Sequence, residues 1–177
     1  MLVEAFAKGA AERHRVEVVS VRDVKVNPCL GCNACANERH ESLLSDGRVV
    51  TDEGEANGIC VQKDDMPAIY EKMSQADMLV IASPVYFYGI SAQLKAVIDR
   101  FHNPIRDSFH IKKMALLLVG AATLSELFDA ILTEYNLCLK FFHLEDAGKI
   151  LVRGVKDKGD IKNTDALNEA YMLGCSI

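Results

Sequence analysis

Four of the six cysteines in this 177-residue chain lie close enough in sequence to bind one metal centre together. Cys29, Cys32 and Cys35 form a C-x2-C-x2-C run, and Cys60 follows after an acidic stretch. Thiolates spaced by two residues on a loop can converge on an iron–sulfur cluster, and four thiolates can also hold a zinc ion. The same pattern also fits reduced thiols that only pack a loop. The spacing predicts a thiol site, with the cluster, the zinc ion and the plain thiols all left open.

A second candidate site is a segment in which an apolar run ends abruptly in aromatic residues. Residues 78–82 are continuously apolar, which is typical of a strand buried on both faces. Pro84 has no N–H for a strand ladder, so the strand is expected to end there. Ligands of open α/β sheets bind beyond the carboxyl ends of strands, and this segment offers aromatic faces and backbone N–H groups to a planar molecule. The residues predicted to bind it are Ser83, Pro84, Val85, Tyr86, Phe87, Tyr88 and Gly89.

The other predicted half of this site is a turn of small residues. It follows a second apolar run, which covers residues 114–119. With small or absent side chains, the backbone of the turn can approach a ligand closely. Thr123 and Glu126 follow with the spacing of a capping box, which predicts that a helix begins there. The residues predicted to contact the ligand are Gly120, Ala121 and Ala122.

Strand patterns alternate with helix patterns along most of the chain. Strands are predicted at residues 16–21, 78–82, 114–119 and 149–155. Helices are predicted over residues 2–13, from Asp64 or Asp65, from Ser91, from Thr123, and over residues 164–173. This order predicts a three-layer α/β fold, a doubly wound parallel sheet with helices on both faces.

One domain over residues 1–177 is expected, interrupted by an irregular, cysteine-rich loop at about 27–63. Within that loop, residues 38–57 form an acidic insertion that is interpreted as solvated. The net charge of −5, without a basic run, argues against a nucleic-acid partner. No apolar stretch approaches the roughly 20 residues of a membrane span, and the first residues do not resemble a signal peptide. The sequence therefore predicts a cytoplasmic protein with reduced thiols and no membrane partner.

Three segments, in order, resemble a known family. They are the cysteine run at 28–35, the stretch around Cys60 at 58–66, and residues 83–86 together with 94–100. Their combination resembles the NAD(P)H-dependent FMN reductase family of flavodoxin-like proteins, in particular its cysteine-bearing branch with the iron–sulfur flavoproteins. The resemblance covers nearly the whole chain. It implies a flavodoxin-like fold and bound FMN, with residues 83–89 lying along the flavin ring.

The sequence departs from this family at its start. Flavodoxin-like chains begin with a strand and a loop rich in Ser, Thr and Gly, whose backbone N–H groups hold the flavin phosphate. Here the predicted order of strands and helices begins within the first helix. The first strand of the flavodoxin-like order, which lies in the centre of the sheet, has no counterpart in this order. Either about the first two dozen residues of an ordinary member are lacking, or the chain is a remodelled version without cofactor. We expect the chain as given to bind FMN more weakly than one extended upstream by a strand and phosphate loop.

The resemblance implies an FMN-dependent oxidoreductase that passes electrons from NAD(P)H to a small-molecule acceptor such as a quinone or a flavin. Because the chemistry belongs to the flavin, no residue is nominated as a catalytic acid or base. A homo-oligomer, dimer or tetramer, is also implied. Two alternatives stay open: an electron-transfer protein of the iron–sulfur flavoprotein type, and a non-enzymatic flavodoxin-like subunit without cofactor. Asp99 and Arg100, at the end of a predicted helix, are interpreted as forming a surface or inter-subunit ion pair, with direct contact to the flavin as the alternative.

Overall fold

Strands and helices alternate along the chain in the computed structural model, which describes residues 1–36, 39–43, 49–53 and 58–177. The strands are β1 (Arg39–Leu43), β2 (Val49–Glu53), β3 (Met78–Pro84), β4 (Lys113–Val119) and β5 (Glu145–Val152). The α-helices are α1 (Leu2–Ala10), α2 (Met66–Ser74), α3 (Ala92–Asp99), α4 (Asp129–Phe142) and α5 (Ala166–Ser176). Short 3₁₀ helices lie at Arg100–His102, Pro104–Ser108, Ser125–Phe128 and Asp160–Asn163.

The main sheet consists of β3, β4 and β5, in that order and all parallel. The central strand β4 is the most buried, since its side chains from Met114 to Leu118 are almost fully enclosed. In the register, Leu116 lies beside Ile81 of β3 and Lys149 of β5. The parallel α/β architecture predicted from the alternating patterns is confirmed. Because the strands are parallel, their carboxyl ends meet at one edge of the sheet.

Helices cover both faces of this sheet and produce three layers. On one face α1 and α5 pack against side chains such as Leu117 and Ile150. On the other face α3 and α4 pack against Met114, Leu116 and Leu118, and α2 adds a neighbouring apolar cluster. Ser91 caps α3 as predicted, because its hydroxyl accepts a hydrogen bond from the Leu94 N–H.

The contact between α1 and α5 depends on a glycine in each helix. A Cβ at Gly9 would lie 2.1 Å from the carbonyl oxygen of Tyr171, and a Cβ at Gly174 would lie 2.2 Å from that of Phe6. Both distances are shorter than any real contact of a Cβ atom, so only glycine allows the two backbones to approach this closely. The close approach brings α1 and α5 together as one unit over the sheet.

The strand predicted at residues 16–21 is wrong. This stretch has no regular structure, and Val16, Val18 and Val19 are exposed. A strand needs a second strand to pair with, and the β-branched composition of a segment does not supply one. Among the described residues, β3 pairs only with β4, so no strand lies beside its other edge.

Other details of the local structure also differ from those predicted. The acidic insertion is not simply irregular, because β1 and β2 pair antiparallel within it, although residues 37–38, 44–48 and 54–57 lie outside the described residues. Strand β5 ends at Val152, before Gly154, whose φ of +72° turns the chain. The capping box is also wrong, since a 3₁₀ helix begins at Ser125 and α4 only at Asp129. The Ser125 hydroxyl bonds the Glu126 carboxylate, so that carboxylate does not reach back to Thr123.

No helix in the described part of the chain is long and apolar enough to cross a membrane.

Replacing Gly9 or Gly174 with Ala should lower the free energy of unfolding by about 1–3 kcal/mol, because extra atoms are forced into a packed contact. The direction is opposite to that of an ordinary helical Gly→Ala change, which stabilises by about 1 kcal/mol. Urea unfolding monitored by circular dichroism measures the effect. Asn168→Ala, at an exposed position of α5, is the control and should cause no loss. Equal stability of Gly174→Ala and the wild type would contradict the close packing.

Candidate functional site

An aromatic turn projects from the carboxyl edge of the sheet, directly after β3. Tyr86 and Gly89 exchange two backbone hydrogen bonds, of 2.9 Å and 3.0 Å. The two residues between them, Phe87 and Tyr88, have positive φ angles of 48° and 65°. Positive φ at both central positions is the geometry of a type I′ turn, which Asn and Gly favour and bulky residues resist. The turn therefore holds two large aromatic residues in a strained backbone.

The aromatic side chains of this turn are held in solvent. Phe87 is 99% exposed, Tyr86 63% and Tyr88 49%, and the rings of Phe87 and Tyr88 meet edge to face with centroids 5.9 Å apart. Among the described residues, the backbone N–H groups of Phe87 and Tyr88 have no hydrogen-bond partner. Backbone strain persists only where the surrounding structure enforces it, and it is concentrated at functional sites. The turn thus presents ring faces and unpaired N–H donors on one small surface.

Buried hydroxyl groups anchor this turn to the sheet. The Ser83 hydroxyl accepts a 2.9 Å hydrogen bond from the Ser91 N–H and donates to the Pro84 carbonyl oxygen. The Val85 N–H donates to the Val119 carbonyl oxygen, which continues the ladder with β4 past Pro84. Ser83 is therefore buried and already bonded within the loop, so its role is to position the aromatic residues.

The small-residue turn after β4 lies at the same edge of the sheet. The Gly120 N–H donates to the Val152 carbonyl oxygen, and the Gly120 carbonyl accepts from the Val155 N–H. A Cβ at Gly120 would lie 2.6 Å from the Leu127 side chain, so this glycine makes room for the protein's own core. Ala121, by contrast, is exposed, and its backbone has no hydrogen-bond partner among the described residues. Of the three predicted residues, Ala121 is the one whose backbone is open to a ligand.

The predicted cysteine loop is held by bonds between two extended segments. Lys25 and Asp65 exchange two hydrogen bonds, through the Lys25 N–H to the Asp65 carboxylate and through the Asp65 N–H to the Lys25 carbonyl. Further along, the Gln62 amide donates to the Pro28 carbonyl oxygen at 2.8 Å. These bonds run residues 25–28 beside residues 62–65. Cys29 and Cys60 consequently leave this ladder at the same end.

The other three thiols of the predicted site lie close enough to Cys35 for their charges to affect its pKa. Cys29 and Cys32 are exposed, whereas Cys35 and Cys60 are half-buried. Burial raises the pKa of the Cys35 thiol, and the charges of the other three thiols raise it further, against a backbone hydrogen bond that lowers it. In the described residues, no three His, Cys, Asp or Glu side chains are yet arranged to hold a metal ion. The donor chemistry and the shared location fit a thiolate-bound group, but the sulfur atoms would have to draw closer to share one metal.

A buried ion pair beneath the cysteine loop was not predicted from the sequence. Arg100 is 3% exposed, and its Nη1 donates to Asp64 Oδ2 at 2.8 Å and to the Asn27 carbonyl oxygen at 3.2 Å. Burial raises the pKa of Asp64, but hydrogen bonds from Asn27, Arg100 and Met66 outweigh it, so this pKa is lowered overall. Asp99 does form a surface ion pair, with Lys95, but the surface location expected of Arg100 is wrong because its side chain is buried. No local pattern could show this, since Asp64 and Arg100 are distant in the sequence.

Comparisons with known proteins identify the family of this chain. The model of the family described as NADPH-dependent FMN reductase matches residues 1–133. The chain belongs to the NADPH-dependent FMN reductase family. The resemblance deduced from the cysteine, aromatic and helix segments is thereby confirmed.

One curated relative of this family member is an iron–sulfur flavoprotein of Methanocaldococcus jannaschii, 37% identical over 121 residues, which are 67% of this chain and 52% of the relative. The chain spans about half the length of the curated relatives that it matches over two thirds of its own residues. Solved structures show the same flavodoxin-like fold. An NAD(P)H:quinone oxidoreductase from Methanothermobacter marburgensis matches 99% of this chain and 87% of its own, with a TM-score of 0.63 and 17% identity. An FMN-dependent NADH-azoreductase from Bacillus anthracis, in complex with FMN, matches 99% and 89%, with a TM-score of 0.63 and 14% identity.

Changing the central residues of the aromatic turn to Phe87→Asn and Tyr88→Gly should raise the free energy of unfolding by about 1 kcal/mol or more. Asn-Gly is the favoured pair for two successive positive φ angles, so the double change relieves strain without removing a buried contact. Thermal and urea unfolding measure it. The same pair of changes at Leu137 and Phe141, exposed residues of α4, is the control and should destabilise that helix. A less stable Phe87→Asn/Tyr88→Gly variant would show that the turn is not strained.

Proposed function

We propose that this chain forms the flavin-binding part of an FMN-dependent oxidoreductase that passes electrons from NAD(P)H to a small acceptor such as a quinone or a flavin. The observation that carries the proposal is the strained aromatic turn at the carboxyl edge of the sheet, where Phe87 is fully exposed with a φ of 48°. Ligands of this fold class bind at that edge, and family membership supports FMN as the ligand.

The residues of the chain would bind and orient the flavin. FMN, when bound, supplies the redox chemistry. The rings of the aromatic turn offer flat faces to the flavin ring, and the N–H groups of Phe87 and Tyr88 can donate to its polar edge. The backbone at Ala121 approaches from the next loop of the same edge. Ser83 and Ser91 keep the turn in place, and no residue is assigned as a catalytic acid or base.

The remaining parts of the proposal follow from the family and from exposed surfaces. A cytoplasmic location is supported by six cysteines that are all free. A homo-oligomer, dimer or tetramer, is supported by exposed apolar side chains on α4, Leu137 and Phe141 among them. Visible absorbance of the pure protein separates the proposal from its alternatives. Flavin gives two bands in the blue, an iron–sulfur cluster gives a broad brown shoulder, and a cofactor-free subunit gives neither.

The double variant Tyr86→Ala/Phe87→Ala should bind FMN about 10- to 30-fold more weakly than the wild type. Each aromatic contact with the ring contributes on the order of 1 kcal/mol, and both would be lost. Calorimetric titration of FMN into the full chain measures the affinity. Leu137→Ala/Phe141→Ala removes two exposed apolar side chains from α4 and should leave the affinity unchanged. The same affinity in Tyr86→Ala/Phe87→Ala and the wild type would refute the flavin assignment of the turn.

An iron–sulfur flavoprotein-type electron-transfer role is a second candidate, and a specific observation favours it. Three other thiols lie near enough to Cys35 for their charges to affect its pKa. The curated relative from M. jannaschii carries the name iron–sulfur flavoprotein. The four cysteines, Cys29, Cys32, Cys35 and Cys60, would hold the cluster, which supplies one-electron chemistry when bound.

If a cluster binds, single Cys→Ser changes at these four positions should each lower the iron content of anaerobically purified protein. Serine replaces the thiolate that iron–sulfur clusters use as their ligand. Iron and acid-labile sulfide are measured per chain. Cys138→Ser is the control. Cys138 lies on α4, half-buried against the apolar core, and this burial raises the pKa of its thiol. Iron-free wild-type protein would leave only the plain thiols or a zinc ion.

A further inference from the structure

The two segments that carry Cys29 and Cys60 converge on a single buried cation. The Arg100 Nη1 donates to the Asn27 carbonyl oxygen, two residues before Cys29. The same atom donates to the carboxylate of Asp64, four residues after Cys60. Asp64 in turn accepts from the Asn27 N–H at 3.0 Å. One guanidinium and one carboxylate thus bond both segments to each other and to the end of α3.

Other groups from the same part of the chain reinforce this connection. The Asn103 amide donates to the Gly58 carbonyl oxygen at 2.7 Å, which fixes the chain just before Cys60. The Tyr70 hydroxyl donates to the Arg100 carbonyl oxygen at 2.6 Å and so holds the arginine backbone from α2. The position of Arg100 relative to the cysteine loop is therefore determined by several bonds, not by the flexible side chain alone.

The second terminal nitrogen of this guanidinium is unsatisfied. Arg100 Nη2 is buried and has no hydrogen-bond partner among the described residues. Buried donors are nearly always paired in folded proteins, and a charged donor without a partner is especially unfavourable. Burial lowers the pKa of Arg100, but the bond and charge of Asp64 outweigh it, and Cys60 and Tyr70 add to the increase. Cys60 is thus close enough for its charge to be felt at the guanidinium.

We propose that Arg100 is a positioning residue for the four-thiol site: its hydrogen bonds to Asn27 and Asp64 hold the segments of Cys29 and Cys60 side by side. This inference rests on the thiol-bound group proposed as the second candidate function. Thiolates that share a ligand repel one another, and a nearby cation offsets that repulsion. The ion pair with Asp64 keeps the guanidinium in place, and Nη2 is a buried donor without a partner among the described residues.

Cobalt(II) titration of the reduced full chain under anaerobic conditions tests the role of Arg100. Thiolate-to-cobalt charge-transfer absorption reports binding at the sulfur atoms, without requiring flavin or activity. The test variant is Arg100→Met/Asp64→Asn. It removes both charges, so no buried charge is left unpaired. Its single amide oxygen can accept from only one of the two N–H groups, those of Asn27 and Met66, that bond the two carboxylate oxygens of Asp64. We expect its cobalt affinity to fall at least tenfold, while far-UV circular dichroism and the melting curve stay close to those of the wild type.

Two further variants show whether a loss of cobalt affinity comes from the charge and position of Arg100 or from a general effect on folding. Arg100→Lys keeps the cation but lacks the planar fork that reaches two partners, so it should recover part of the affinity. Arg153→Met is the matched control, because Arg153 also bonds two loop carbonyls, those of Leu124 and Ser125, but far from the cysteines in the sequence. Its cobalt affinity should equal that of the wild type.

The outcomes separate this inference from the function on which it rests. Equal cobalt affinity in the wild type and Arg100→Met/Asp64→Asn would overturn the role of Arg100 and leave the thiol site standing. The same loss in Arg153→Met would overturn it too, since the effect would then be general. Wild-type protein that binds no cobalt and carries no iron would overturn both the thiol site and the role of Arg100.

Discussion

The hydrogen-bonded ladder of β4 with its two parallel neighbours is the constraint on which the candidate site depends. The ladder brings the carboxyl ends of β3, β4 and β5 to one edge. It also extends beyond the strands, through the bonds from Val85 to Val119 and from Gly120 to Val152. The aromatic turn and the small-residue turn are therefore neighbours, because they follow two adjacent strands of one sheet. Burial of nearly the whole of β4 makes any other register costly, because a one-residue slip would expose its apolar side chains.

That rigid edge explains how the chain tolerates an unfavourable turn. Positive φ at two bulky residues costs on the order of 1–3 kcal/mol each, and the bonds of Ser83, Ser91 and Val85 hold the chain in that conformation. The same bonds keep the rings out of the core, so apolar surface that would normally be buried faces solvent. A planar ligand could recover part of that loss by covering the rings. Strain and exposure thus point to the same surface.

Helix α3 connects the two candidate sites. Its first turn is capped by Ser91, whose N–H also bonds the Ser83 hydroxyl below the aromatic turn. Its last residue is followed by Arg100, which bonds both segments of the cysteine loop. Eight helical residues span about 12 Å, so the two sites are held at a distance of that order by one short, rigid element. A change in the packing of α3 would affect both of them.

From the sequence alone one can predict the α/β class, the three apolar strands, the cap at Ser91, the positions of the aromatic and cysteine segments, and the family. These features depend on local patterns, namely continuous apolar runs, a proline that ends a strand, and cysteine spacing. The absence of a strand at residues 16–21 could be seen only in the folded chain, because a strand requires a pairing partner elsewhere in the chain. Likewise, the pairing of Arg100 with Asp64 and the strain at Phe87 and Tyr88 arise from contacts between distant segments and from backbone angles enforced by the sheet. A linear pattern records which residues are present, whereas burial and long-range hydrogen bonds determine which of them meet.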